Sequence, residues 1–109
     1  MATYGNFQHD TQNDIYTGRI NFGGFKADAK LVPNPDKDSE NKADDSKPDY
    51  LLLDGSAQIG AAWKKIAESS GNKYLSVKVD TPMLDKAIWC KLSKTRNTAP
   101  NEYLLFWSR

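Results

Sequence analysis

Lysines and large aromatic rings interleave in the second half of the sequence, first in WKKIAESSGNKYLSVKV (63–79) and again in AIWCKLSK (87–94). In an extended strand alternate side chains point to opposite faces. If Leu75, Val77 and Val79 turn toward a core, as do Ile88, Cys90 and Leu92, then Tyr74, Lys78, Trp89 and Lys91 turn to solvent. Exposed rings that stack on bases, beside ammonium groups that track phosphates, make a platform for single-stranded nucleic acid. Lys64, Lys65, Lys94 and Arg96 extend its positive rim. Trp63 falls in phase with Ile59 and Ala61, which assigns it to the core rather than the platform. The competing reading is an ordinary solvated face, with Trp89 covered by another segment or by a second copy of the chain.

Other residue types that do chemistry are sparse. His9 is the single histidine, in QHDTQND beside Asp10 and Asp14. Without further histidines or cysteines at ligand spacing, this reads as a solvated side chain rather than a metal ligand. Cys90, the single cysteine, is in phase with Ile88 and Leu92 and reads as a buried, inert thiol. A Cys90–His9 nucleophilic pair is compatible with the sequence but has nothing else to support it. Neither DGSAQIG nor SSGNK matches a nucleophile elbow, and no phosphate-cradling glycine loop occurs. Asp80 and Asp85 have no convergent partner. The expectation is a protein that binds rather than catalyses, with no cofactor and no metal.

The clearest positioning element is DIYTGRINFGGFKADAKLV, two alternating runs around Gly23-Gly24, a pair that accepts the positive φ of a two-residue hairpin turn. That loop fixes the register: Phe22 opposite Phe25, Ile20 opposite Ala27, Gly18 opposite Ala29, Tyr16 opposite Leu31, and on the other face Arg19 opposite Asp28. Residues 33–49, PNPDKDSENKADDSKPD, offer only Ala43 as an apolar side chain and predict a mobile acidic loop. YLLLDG reads as a short strand ending in a turn at Asp54-Gly55. Residues 56–68 are ambiguous: Ser56 suits a helix cap and Ile59, Trp63 and Ile66 suit helical spacing, while Gly60 disfavours a helix by about 1 kcal/mol. Strand is preferred. KYLSVKVD, AIWCKLSK and EYLLFWSR complete the set, the last apolar on both faces as in a central strand or a self-association surface. Together they predict a mostly β, antiparallel small barrel or sandwich of seven or eight strands.

The chain of 109 residues suits one domain, residues 1–109, with twelve aromatic residues for its core. Its net charge of +1 hides a division: residues 1–54 hold six Lys/Arg against ten Asp/Glu, and residues 55–109 hold nine against four. An anionic partner for the basic half, or mutual neutralisation of the halves, is the implication. A single cysteine fits a reducing compartment, and no apolar run approaches a membrane span, so a cytoplasmic protein is expected, with no membrane partner.

MATYGNF, then IGAAWKK followed by GNKYLSVKVDTP, and the terminal YLLFWSR resemble the small bacterial family known as domain of unknown function 736. Its pattern opens with Met-Ala-x-x-Gly-x-Phe, continues through Gly-Ala-x-Trp-Lys-Lys and Tyr-Leu-Ser-Val-Lys-Leu-Asp, and ends in Trp-Ser-Arg. PDYLLLDG and AKLVP also fit, while the acidic stretch from Pro35 to Ser46 is longer than usual. The resemblance implies a compact, mostly β protein of plasmids and other mobile elements, often near conjugation genes, with no catalytic residues to carry over. It also favours strand for IGAAWKK. The function expected is an accessory binder of single-stranded or flexible nucleic acid. The alternative is a protein-interaction module that inhibits or scaffolds a host-defence or transfer-machinery protein through the acidic loop or an aromatic patch. Self-association into a homo-oligomer is compatible with either.

Overall fold

A computed structural model of the chain describes residues 3–21, 26–35, 47–68, 71–82, 84–94 and 100–107. Eight strands follow one another: β1 (Thr3–Asp10), β2 (Ile15–Asn21), β3 (Lys26–Pro33), β4 (Tyr50–Asp54), β5 (Ala57–Ile66), β6 (Lys73–Val79), β7 (Ile88–Ser93) and β8 (Glu102–Trp107). Each pairs antiparallel with its neighbours in sequence, and β8 returns to pair with β1, closing an up-and-down barrel. Of the two architectures expected, barrel or sandwich, the chain forms the barrel. Closure also gives the apolar β8 a partner on each edge, β7 and β1, which is the central-strand reading of its sequence.

The hairpin of β2 and β3 pairs as its alternation predicts. Tyr16 lies opposite Leu31, Gly18 opposite Ala29, Ile20 opposite Ala27 and Arg19 opposite Asp28. Arg19 Nε and Asp28 Oδ1 form a 2.9 Å ion pair on the exposed face, and an exposed pair of this kind adds little stability. The turn residues Phe22 to Phe25 lie outside the described residues. So do residues 36–46, which make up most of the expected acidic loop. Its base is described: Pro33 still belongs to β3, and the Asn34 N–H donates to the Asp49 carbonyl while its side-chain amide donates to the Pro48 carbonyl.

An eight-stranded barrel has an interior just wide enough for side chains to fill. Phe7, Ile20, Leu31, Leu52, Val77, Val79, Leu92 and Leu105 fill it here, all nearly inaccessible to water. Burial of a side chain of this size contributes roughly 1.5–3 kcal/mol, so this column is the main source of stability. Apolar-in, polar-out alternation is the inverse of a membrane barrel's pattern. Among the described residues no helix is long and apolar enough to cross a membrane.

Residues 57–66 are strand, which resolves the ambiguity over 56–68. The assignment of Trp63 to the core is overturned. Leu52 pairs with Gly60 but Leu53 pairs with Gln58, so Ile59 is the extra residue of a β-bulge. The bulge moves the alternation by one position. Beyond it Ala62 faces inward opposite Val77, while Ala61 and Trp63 face outward beside Lys78 and Ser76. Ile59 stays in the core cluster and Ala61, although covered, is not part of it.

Gly60 is required where β4, β5 and β6 meet at this bulge. A Cβ there would lie 2.0 Å from the backbone carbonyl of Lys78 and 3.1 Å from the Leu52 side chain. Backbone cannot yield as a flexible side chain does. Gly60→Ala is therefore expected to destabilise the barrel by about 1–3 kcal/mol, the cost of overpacking, read as a lower urea midpoint. A change within about 0.5 kcal/mol, typical of an indifferent surface substitution, would contradict this geometry.

Candidate functional site

Two surfaces collect the residues that can bind. The first is the outer wall of β5 to β8. Those four strands carry Lys64, Lys65, Lys73, Lys78 and Lys91 against one acid, Glu102. Strand register sets the outward side chains side by side: Trp63 next to Ser76, Ser76 next to Lys91, Lys91 next to Phe106, and Lys78 next to Trp89. The Trp63 and Trp89 rings meet at 5.5 Å between centroids, tilted by 39°. Trp89 is 44% exposed. Lys78 Nζ lies 5.9 Å from its ring centroid, and Lys91 Nζ lies 4.6 Å from that of Tyr74. Such cation–π contacts are worth about 0.5–1 kcal/mol at exposed sites, enough to orient an ammonium group yet weak enough to release it to an anion.

Tyr74, Lys78, Trp89 and Lys91 thus stand together on one face, as their spacing predicts, and Lys65 joins them opposite Tyr74. Lys64 and Lys94 do not. Lys64 continues the inward row of Gly60 and Ala62 and reaches the open end of the barrel, its Nζ 5.7 Å from the Tyr50 ring centroid. Lys94 follows the end of β7 and sits 5.3 Å from the Tyr103 ring. Arg96 lies outside the described residues.

That open end is the second surface, and its tyrosines were not picked out in the sequence. At this end the interior filling changes from aliphatic side chains to Tyr16, Tyr50 and Tyr103. Tyr50 and Tyr103 each stand edge-on to Tyr16, at 5.6 and 5.1 Å. Above them opens a cavity of about 410 Å³, lined also by Lys64, Lys65, Lys73 and Tyr74.

A polar network ties the tyrosines to the β1–β2 turn. Asp10 shapes the turn by accepting hydrogen bonds from Asn13 and from the Gln12 N–H, and Asn13's side-chain bond is the main cause that holds its carboxyl below the usual range. Asp14 follows in the left-handed region, φ 56°. Its carboxylate accepts from the Tyr50 hydroxyl at 2.8 Å and lies 2.9 Å from His9 Nε2. His9 in turn stacks on Tyr16, centroids 4.0 Å apart and nearly parallel. The sole histidine is therefore a packed, partnered side chain and not the solvated one its sequence context suggests.

Cys90 is 1% exposed, and burial pushes its thiol up to about 12. That environment suits a packing residue, not a nucleophile. Among the described residues no group of three or more His, Cys, Asp or Glu side chains converges as a metal site.

Burial raises the Tyr16 hydroxyl above the usual tyrosine range, with Tyr103 and Asp14 adding to it. Burial followed by the hydrogen bond to Asp14 does the same for Tyr50. A group whose folded pKa is raised stabilises the fold below its unfolded pKa and loses that contribution as pH rises toward the folded value. Stability is thus expected to fall above the ordinary tyrosine pKa of about 10. In an alkaline titration, two of the five tyrosines should form phenolate only as the barrel's circular dichroism signal is lost. Ionisation of all five before any unfolding would contradict the packed arrangement of Tyr16 and Tyr50.

No curated protein and no solved structure matches the chain. A family model does match, over residues 3–109, and it takes in every strand of the barrel together with both surfaces: the chain belongs to the family described as "Protein of unknown function (DUF736)".

Proposed function

We propose that the chain acts by binding rather than by catalysis, as a cytoplasmic accessory protein of a mobile genetic element that holds single-stranded or flexible nucleic acid on the outer wall of β5 to β8. The observation that carries this reading is the outward Trp63–Trp89 pair with Lys78 and Lys91 beside it. Bases stack on aromatic faces with little regard to sequence, while ammonium groups replace the counterions of the phosphates. Trp63, Tyr74 and Trp89 supply the rings in this reading; Lys65, Lys78 and Lys91 meet the backbone. Displacement of Trp63 from core to wall strengthens the proposal, since it gives Trp89 a second ring at its side.

The same rings support a second reading. Trp63 on β5, Trp89 on β7 and the half-buried Phe106 on β8 are outward apolar groups on one arc of wall, and aromatic residues of this kind anchor protein partners. Salt separates the two. Phosphate contacts make log K fall with log salt by about 0.7 per neutralised phosphate on a single strand, whereas an apolar anchor is nearly indifferent to salt.

Fluorescence anisotropy of a labelled single-stranded oligonucleotide, at two salt concentrations, tests the proposal. Binding should weaken with salt. Trp89→Ala should weaken it about 5- to 150-fold, equivalent to the roughly 1–3 kcal/mol of one lost base stack. Lys78→Gln and Lys91→Gln should each lower the salt slope by about 0.7. No binding at low salt, with the fold intact, would overturn the nucleic-acid reading and direct attention to a protein partner.

A further inference from the structure

The open end of the barrel holds a cavity that meets the wall only at Lys65 and Tyr74. Its volume of about 410 Å³ falls within the range of roughly 300–1,000 Å³ typical of small-ligand pockets. Its depth is limited by the side chains at its base, since the interior also holds Leu31 and Leu52, which do not line it. That leaves room for one compact ligand and not for a threaded chain. The lining is rich in rings: four tyrosines, Tyr16, Tyr50, Tyr74 and Tyr103, beside the aliphatic Ile66, Leu75 and Leu92.

Charge narrows the ligand further. Lys64, Lys65 and Lys73 line the cavity, and Lys94 overhangs Tyr103. Among the described residues no carboxylate lines the cavity, although Asp10, Asp14, Asp49, Glu68 and Glu102 belong to the strand ends and connections at the same end. Asp14 accepts from Tyr50 and lies against His9, and Asp49 accepts the Lys64 backbone N–H at 2.8 Å. The cavity lining itself, with three lysines and no carboxylate, is cationic. An aromatic enclosure by itself would suit an ammonium ligand, but here lysine ammonium groups already lie over Tyr50 and Tyr103, and they would repel another cation. The complementary ligand has a flat ring to pack against tyrosine and an anion to draw these ammonium groups from the ring faces.

We infer that the barrel mouth binds a single nucleotide, its base against Tyr50 and Tyr103 and its phosphate between Lys64 and Lys94. This site stands on the mouth's own geometry and does not depend on the wall reading. Two sources supply the same chemistry: a free mononucleotide and the phosphorylated end of a strand.

The test titrates the full chain with adenosine 5′-monophosphate, followed by calorimetry and by amide NMR shifts. Saturable binding should move signals of Tyr16, Tyr50, Lys64 and Tyr103. Adenosine alone and inorganic phosphate alone should each bind more weakly by about tenfold or more, as expected when ring and anion both contribute. The Lys64→Gln/Lys94→Gln variant alters two exposed side chains and should weaken binding by about tenfold or more, the scale of charge-assisted contacts to phosphate. Trp63→Ala/Trp89→Ala should leave it unchanged. Absence of binding, equal binding of adenosine, insensitivity to the lysine variant, or shifts confined to the Trp63–Trp89 wall would each overturn the site. Competition identifies the source. Displacement of the nucleotide by a linear 5′-phosphorylated strand but not by a circular one assigns a strand end, and displacement by neither assigns the free mononucleotide. Displacement by both would overturn a pocket that closes around one nucleotide.

Discussion

The pairing of β8 with β1 is the constraint from which the other features follow. Closure leaves no strand edge to be capped, and it gives every strand one face in a narrow interior and one in solvent. Once that interior is filled with aliphatic side chains, the barrel can present chemistry in only two places. One is the outer wall, where alternation lays side chains from neighbouring strands in rows. The other is an end, where the filling stops. Wall and mouth are therefore consequences of the architecture, and residue choice decides what each one does.

The sequence-level division of charge acquires a spatial meaning through the same closure. Because the strands run round the barrel in chain order, a basic second half becomes a basic arc of wall, β5 to β8. The described strands of the other arc carry a mixed outer face, with Arg19, Lys26, Asp28 and Lys30 of both signs. Much of the acidity of the first half resides in residues 36–46, outside the described strands. Lys65 and Tyr74 are opposite one another where the basic arc reaches the mouth, and both line its cavity. Wall and mouth are in this way continuous in charge although they differ in shape.

Much of the fold was legible because local signals agreed. Turn chemistry and binary pattern both specified the β2–β3 register, and alternation placed Tyr74, Lys78, Trp89 and Lys91 correctly. Trp63 was not legible, because strict alternation assumes an unbroken ladder. A single extra residue at Ile59 reversed the face of everything after it. Gly60 was the available clue: it argued against a helix, and glycine inside a strand also marks a bulge or a close backbone approach. The mouth was illegible for a different reason. His9, Asp14, Tyr16, Tyr50, Lys64, Lys94 and Tyr103 come from connections and strand ends along nearly the whole chain, and only closure brings them together. No window of sequence contains that site.

The construction of the mouth bears on why it exists. Buried hydroxyls are costly unless paired, and aliphatic side chains would fill an end of the barrel without any such need. This chain instead uses tyrosines and supports them with a carboxylate placed by a left-handed backbone, a conformation that costs about 1–2 kcal/mol for a residue bearing a Cβ. An Asp tolerates it better than most residues, and the reward is geometric: from that position one carboxylate meets both the Tyr50 hydroxyl and the His9 ring, which stacks on Tyr16. The network thus holds two of the three floor rings through one anchor. Rings held in place before a ligand arrives lose little freedom on binding, which is the energetic advantage of preorganisation. Local strain and a satisfied polar network thus lie directly under the lysine-lined cavity.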